Sequence, residues 1–164
     1  HAPIAARVPA SICASGMLVS SLYLGIRGIK GGYVKVLSIS LALAGIFIIG
    51  FGLFTVIPLI TAAGFGFFLM LPFANNCLDV LVRSNTAADL QGRIWGIVGF
   101  LSQIGYVVAY GCSGVAADFM AASAGISVGR GAGIIMAISG AALVAVSVSI
   151  LLMKSIRSLD SAKA

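Results

Sequence analysis

The sequence predicts an all-α protein, a polytopic bundle of transmembrane helices. Hydrophobic residues occupy 60% of the 164 positions, charged residues only 9%, and glutamate is absent. Soluble domains carry roughly a quarter charged residues, so this composition cannot cover a water-facing surface. Long uncharged runs separated by short polar segments are the second observation, and they divide the chain into five predicted spans.

The first three spans come from two uncharged runs. Residues 8–26 separate Arg7 from Arg27 and are long enough to cross a bilayer once. Residues 36–78 would form a helix of about 65 Å, roughly twice the hydrocarbon thickness, so this run must fold back. We place the break between Gly50 and Pro58, where flexible glycine and helix-starting proline meet. The predicted spans are therefore 8–26, 34–51 and 54–76.

The fourth and fifth spans are residues 94–117 and 131–153, of 24 and 23 uncharged residues. Asp118 and Arg130 bracket a segment rich in small residues, which we expect to be a loop. Five spans place the two termini on opposite sides of the membrane.

The distribution of Lys and Arg predicts the orientation in the cell (plasma or inner) membrane, since cytoplasmic loops are enriched in both residues. Eight lie beside helix ends on one side and two on the other. The first set is Arg27, Lys30, Lys35, Arg83, Arg93, Lys154, Arg157 and Lys163, and the second is Arg7 and Arg130. The N-terminus is thus expected outside and the C-terminus in the cytoplasm. The basic residues are scattered singly, which excludes a nucleic-acid patch and leaves the lipid bilayer as the partner.

The residue types needed for catalysis or metal binding are sparse. Cys13, Cys77 and Cys112 lie far apart, and His1 is the single histidine. No carboxylate falls inside a predicted span, although proton and sodium relays usually need one. We therefore expect no metal site, no cofactor, no catalytic residues and no enzymatic activity. Because the chain begins with His1 rather than Met, we expect it to be an N-terminally incomplete piece of a larger protein.

The fourth span has one face of small and polar residues. On a helical wheel these residues fall within about 60° of one direction, opposite a face of branched apolar residues. They are Gly92, Gly96, Gly99, Gln103, Tyr106, Tyr110, Ser113 and Gly114. Gly92, Gly96 and Gly99 are candidates for helix packing. Gln103, Tyr106 and Tyr110 either form interhelical hydrogen bonds or line a substrate path, and the two alternatives are compatible.

Three phenylalanines of the third span also allow two interpretations. Phe65, Phe67 and Phe68 could line a drug pocket. The interpretation that we favour is that they are packing residues or bulk that faces lipid.

The polar segment before the fourth span predicts a helix start. Thr86 and Asp89 have the spacing of a capping box, in which Thr86 would cap the new helix. Asp89 and Arg93 are four residues apart in the favoured acid-first order, as are Asp79 and Arg83. Exposed pairs of this kind contribute only tenths of a kcal/mol. Alternatively, these four residues could pair with charges on a neighbouring bundle and form a cytoplasmic gate.

The same region carries a family resemblance. Residues 76–119, "NCLDVLVRSNTAADLQGRIWGIVGFLSQIGYVVAYGCSGVAADF", resemble the tenth-to-eleventh helix region of major facilitator superfamily (MFS) transporters. The similarity is to the macrolide- and multidrug-efflux-like branch, in which a Gly-Arg motif opens the eleventh helix, as in "QGRIWG". Upstream, "LYLGIRGIKGGYVK" resembles the loop motif between helices eight and nine, with Ile26-Arg27 where the family has an acidic residue and Arg.

The resemblance implies that the five spans are MFS helices eight to twelve. It further implies a permease that exports drugs or other small amphipathic molecules by alternating access, with the missing N-terminal helices completing the bundle. Two other classes stay open: a non-transporting membrane subunit or scaffold, and a membrane-embedded enzyme, against which the sparse catalytic residues argue.

Overall fold

The computed structural model of the protein describes residues 4–29, 31–125 and 127–153. These residues form five α-helices, which confirms the predicted all-α class. The helices are α1 (Ile4–Arg27), α2 (Tyr33–Leu53), α3 (Ile57–Asn85), α4 (Gln91–Ala124) and α5 (Val128–Leu152). Four of the described helices, α2 to α5, are long and apolar enough to cross a membrane, and α1 contributes the apolar stretch Ser11–Arg27.

The helices pack as a row rather than in chain order. α1 packs against α3, α3 against α2, α2 against α5, and α5 against α4. α2 and α5 run antiparallel, since residues early in α2 meet residues late in α5. α1 and α3 run parallel, because Cys13 lies beside Gly64 and Tyr23 beside Phe73. The row therefore has α4 at one edge and α1 at the other.

Small residues at seven-residue intervals join α2 to α5. The pairs are Ser38 with Ser147, Gly45 with Gly140, and Gly52 with Gly133. A Cβ atom built on Gly45 would lie 2.8 Å from the carbonyl oxygen of Gly140, so the two backbones are almost in contact. A repeat of seven is shorter than two ideal α-helical turns, and it keeps one face toward its partner through a left-handed supercoil. We call these three pairs the small-residue seam.

Hydroxyl groups at one end of the seam are buried and satisfied. The Ser147 hydroxyl donates a hydrogen bond to the carbonyl oxygen of Ser38. The Ser38 hydroxyl in turn donates to the carbonyl oxygen of Val34 at 2.9 Å. Both serine side chains are fully buried. In a bilayer such bonds stabilise helix pairs by about 0.6 to 2 kcal/mol, in addition to the van der Waals packing of the glycines.

The α1–α3 contact is also made at glycine. A Cβ atom on Gly16 would lie 2.7 Å from the carbonyl oxygen of Phe65, and one on Gly64 would lie 2.7 Å from Sγ of Cys13. The rings of Tyr23 and Phe73 meet further along, with centroids 6.1 Å apart. Phe65 is therefore a packing residue of the α1–α3 contact.

One turn agrees with the sequence-based expectation and another differs from it. α3 begins at Ile57, with Pro58 in its first turn, so the predicted break between Gly50 and Pro58 is where α2 ends and α3 starts. The predicted loop between Asp118 and Arg130 is shorter than expected, because α4 continues to Ala124 and α5 begins at Val128. Residues 119–124 include three alanines and a methionine, which favour helix, and Gly125 follows α4 with the left-handed φ of 62° that commonly ends a helix.

Candidate functional site

The small and polar face predicted on α4 lies on the most exposed helix of the protein. Gln103, Tyr106 and Tyr110 are all exposed, and Tyr110 exposes 80% of its surface. α4 packs against α5 near the α4–α5 turn, where Ala117 is buried. From Gln91 through Ala116, the residues of α4 are exposed or half-buried. The described residues therefore do not enclose Gln103, Tyr106 and Tyr110, and their role in a substrate path stays a prediction.

The glycines of this face have open space beside them. Cβ atoms built on Gly92, Gly96 and Gly99 would meet no atom within 4 Å among the described residues. The glycines of the small-residue seam, in contrast, approach a neighbouring backbone so closely that no side chain fits. Gly92, Gly96 and Gly99 thus make no close helix contact among the described residues, and the packing predicted for them would be with another helix.

The polar segment between α3 and α4 has a geometry that the capping-box prediction did not anticipate. Thr86 ends α3 in an extended conformation with φ −124° and ψ 134°, and α4 begins only at Gln91. Ala88 to Leu90 form a turn in which the Leu90 N–H donates to the carbonyl oxygen of Ala87 at 3.0 Å. The prediction that Thr86 caps α4 is therefore wrong, because the chain needs these residues to reverse direction before the next helix.

The side chain of Gln91 connects the start of α4 to the end of α3. Its side-chain amide donates to the carbonyl oxygen of Arg83 at 3.3 Å and to that of Thr86 at 3.4 Å. The last four carbonyl groups of a helix have no partner inside the helix, and a donor from the next element can satisfy them. The Gln91 amide thus ties the start of α4 to the end of α3.

The four gate candidates lie at the same end of the bundle. Asp79 and Arg83 are in the last two turns of α3, Asp89 is in the turn, and Arg93 is in the first turn of α4. All four side chains are exposed, and no ion pair joins them to one another within the described ranges. The i,i+4 pairs are therefore open, and the charges are accessible to a partner. Their role as a gate stays a prediction.

A cavity of about 370 Å³ lies between α2, α3 and α5, and we call it the α2–α3–α5 cavity. Its lining is apolar except for one serine. The lining residues are Ile48, Phe51, Gly64, Phe67, Phe68, Ile135, Met136 and Ser139. Phe67 and Phe68 are thus pocket residues, as one of the two sequence interpretations had it, whereas Phe65 is not. The phenylalanine cluster was the sequence signal for this pocket, but it does not identify α2 and α5 as the other walls.

Side chains of the types that bind metal ions lie apart from one another in the described ranges. No three side chains of His, Cys, Asp or Glu come together there in a way that could hold a metal ion. Cys13 and Cys77 are buried and Cys112 is exposed, and no disulfide joins any of the three.

Comparison of the chain with protein families, with curated proteins and with solved structures finds no match.

Proposed function

We propose that this chain is part of a secondary membrane transporter of the MFS type, which exports small amphipathic molecules by alternating access. The observation that carries the proposal is the face of α4. A transmembrane helix that exposes glycine, glutamine and tyrosine along one stripe is suited to pack against further helices or to border a water-filled path. Lipid alone would leave the Gln103 amide without a hydrogen-bond partner.

The transport path would run along this small and polar face of α4. Gln103 makes no hydrogen bond among the described residues, so its amide is free to bind a polar group of a substrate. Tyr106 and Tyr110 lie one and two turns further along the same face, and their rings offer an apolar surface with a hydroxyl at the edge. Gly92, Gly96 and Gly99 would let a helix from the rest of the transporter approach α4 closely.

The four charged residues at the α3–α4 end would form the cytoplasmic gate. Because Asp79, Arg83, Asp89 and Arg93 are exposed and unpaired with one another, they can form ion pairs with a facing bundle in one state and release them in the other. Single exposed pairs are worth only about 0–1 kcal/mol, which suits a contact that has to break in each transport cycle.

The replacement of Gln103 by alanine tests the path. In the protein expressed from its native gene in cells that lack their own efflux pumps, we expect Gln103→Ala to change the relative export of amphipathic substrates. The expected size is about threefold to tenfold, which is what a hydrogen bond of about 0.6–1.5 kcal/mol contributes. The measurement is efflux of a panel of fluorescent amphipathic compounds, with membrane protein quantified in the same cells.

Ser102→Ala is the matched control for this test. Ser102 is the exposed neighbour of Gln103, and its hydroxyl donates to the carbonyl oxygen of Val98 in its own helix at 2.8 Å. We expect Ser102→Ala to behave as the unaltered protein. Export of every compound at unaltered rates by Gln103→Ala would exclude Gln103 from the path.

A non-transporting membrane subunit or scaffold is the second candidate, and the same exposed face of α4 favours it. In that case the small and polar face of α4 would only pack against a helix of a partner protein. Gln103→Ala would then weaken the complex with that partner without changing any export. Co-purification of the partner, measured beside the efflux assay, separates the two functions.

A further inference from the structure

The residues that line the α2–α3–α5 cavity determine which molecules it can bind, and this inference does not depend on the transport function proposed above. Ser139 supplies the one polar side chain of its lining, and the Ser139 hydroxyl already donates to the carbonyl oxygen of Ile135 at 2.9 Å. A water molecule in a buried site needs two to four polar partners, so the cavity does not hold ordered water. No ionisable side chain lines it, so a charged molecule would lose its hydration without compensation.

The cavity is short along the helix axes. Its lining residues on α3 span Gly64 to Phe68, those on α5 span Ile135 to Ser139, and those on α2 are Ile48 and Phe51. Each set covers about one helical turn, which corresponds to about 6 Å. A lipid acyl chain extends through one leaflet, about 15 Å or half of the hydrocarbon core. The cavity therefore fits a compact molecule better than it fits an acyl chain.

Aromatic side chains form much of the wall. The rings of Phe67 and Phe68 meet edge to face, with centroids 5.5 Å apart and planes at 72°. Phe51 lies across from them on α2 and exposes 38% of its surface, as does Met136 on α5. Rings and a thioether both make favourable contacts with an aromatic guest, beyond the burial of area. The partial exposure of Phe51 and Met136 leaves the cavity open at the surface of the helix row.

We infer that the α2–α3–α5 cavity binds a compact, uncharged aromatic molecule that enters from the bilayer. An apolar cavity of about 150 Å³ stays dry and takes up benzene. The cavity here has about 370 Å³, which is enough for about two or three fused rings. Ser139 keeps its acceptor lone pairs, so a guest with one hydroxyl or amine hydrogen can donate a single hydrogen bond to it.

Photolabelling tests this inference on the protein reconstituted in lipid nanodiscs. The probe is naphthalene that carries a diazirine group, and labelled peptides are located by mass spectrometry. We expect labelling of the α2 and α3 segments that contain Phe51, Phe67 and Phe68. Unlabelled 2-naphthol should compete at least about tenfold better than naphthalene-2-sulfonate, because the cavity cannot compensate the sulfonate charge.

A substitution that fills the cavity provides a second test of the inference. Ser139→Phe places a ring in the cavity and should abolish the labelling of these segments. Ser149→Phe is the matched control, because Ser149 is an exposed serine of the same helix whose hydroxyl also donates to the carbonyl four residues earlier at 2.9 Å, outside the cavity lining. Ser149→Phe should label as the unaltered protein does.

Three results would overturn the inference. Labelling spread over the exposed apolar side chains of α4 would mean that the probe only partitions into lipid. Equal competition by the sulfonate would contradict selection against charge. Efficient labelling of the same segments by a phospholipid with a diazirine on its acyl chain, removed by added lipid but not by 2-naphthol, would show an acyl chain as the occupant. The competition arms use the unaltered protein, so they decide the matter even where Ser139→Phe does not fold.

Discussion

At the scale of single residues, one amide joins two helices at the α3–α4 turn. The Gln91 side chain reaches the carbonyl oxygens of Arg83 and Thr86, which lie eight and five residues earlier. Neither carbonyl has an intrahelical partner, because each belongs to the end of α3. Gln91 thereby limits the angle at which α4 leaves the bundle.

Gln91→Ala removes both contacts and should destabilise the turn. We expect the free energy of unfolding to fall by about 0.5–1.5 kcal/mol, the usual value of a side-chain hydrogen bond. The measurement is titration of the protein in mixed micelles, with amide hydrogen exchange of the turn followed in parallel. Thr86→Ala is the control and should change stability by less than about 0.5 kcal/mol, because the Thr86 side chain caps no helix. A larger loss for Thr86→Ala than for Gln91→Ala would restore the capping box.

The α3–α4 turn contains a contact that local sequence patterns do not predict. The spacing of Thr86 and Asp89 is a local pattern, and local patterns describe what a segment can form by itself. The Gln91 amide reaches the carbonyl oxygen of Arg83, eight residues earlier, only because the turn brings the two groups together. A local sequence pattern does not show that the turn has this geometry. Gln103, Tyr106 and Tyr110, in contrast, share one exposed face of α4 as the helical wheel predicts, because the 3.6-residue period holds along any α-helix.

At the scale of elements, the small-residue seam determines which helices are neighbours. Gly45 and Gly140 let the backbones of α2 and α5 meet, and each would contact the other's carbonyl oxygen through any added Cβ atom. Close backbone approach increases van der Waals contact between helices that gain nothing from hydrophobic burial in lipid. The seam thus holds together the middle of the row.

Gly45→Ala should destabilise the protein even though alanine favours helix. The new Cβ atom would lie 2.7 Å from Cγ2 of Val144, and this overpacking costs about 1–3 kcal/mol. Gly105→Ala is the matched control, since its Cβ atom meets nothing within 4 Å, and helix propensity should then raise stability by up to about 1 kcal/mol. Both are measured as the free energy of unfolding in mixed micelles. Equal effects of the two substitutions would mean that the seam is not a close contact.

The elements themselves were easier to predict than their contacts. Uncharged runs longer than 18 residues predict helices because every backbone group must be satisfied within a bilayer. The interval of seven between Ser38, Gly45 and Gly52 was a visible signal for the seam, as was that between Gly133, Gly140 and Ser147. The spacing alone does not identify the seam, because a chain with 21 glycines contains many regular spacings by chance.

At the scale of the whole molecule, basic residues gather at one end. Arg27, Lys35, Arg83 and Arg93 lie near the α1–α2 and α3–α4 turns, whereas Arg130 lies near the α4–α5 turn. A surplus of Lys and Arg favours the cytoplasmic side. We therefore expect the α1–α2 and α3–α4 turns in the cytoplasm.

Cysteine labelling tests this orientation in intact cells. In a Cys112→Ala background, an impermeant thiol reagent should label Ser127→Cys at the α4–α5 turn and should spare Ser84→Cys at the end of α3 until the membrane is permeabilised. Both serines are exposed, and Cys13 and Cys77 are buried, so the background is low. Immediate labelling of Ser84→Cys with protection of Ser127→Cys would mean the reverse orientation.

The small-residue seam also bears on the order in which the protein assembles. The Ser147 hydroxyl meets a carbonyl 109 residues earlier in the chain. At a synthesis rate of about 5–20 residues per second, α5 is synthesised roughly 5–20 s after the part of α2 that it contacts, whereas α3 follows α2 directly. We therefore expect the α2–α3 hairpin to form first and α5 to pack against it afterwards. Ribosomal stalling within α4 would leave the glycine face of α2 bare, in a state that a membrane chaperone or quality-control protease can recognise.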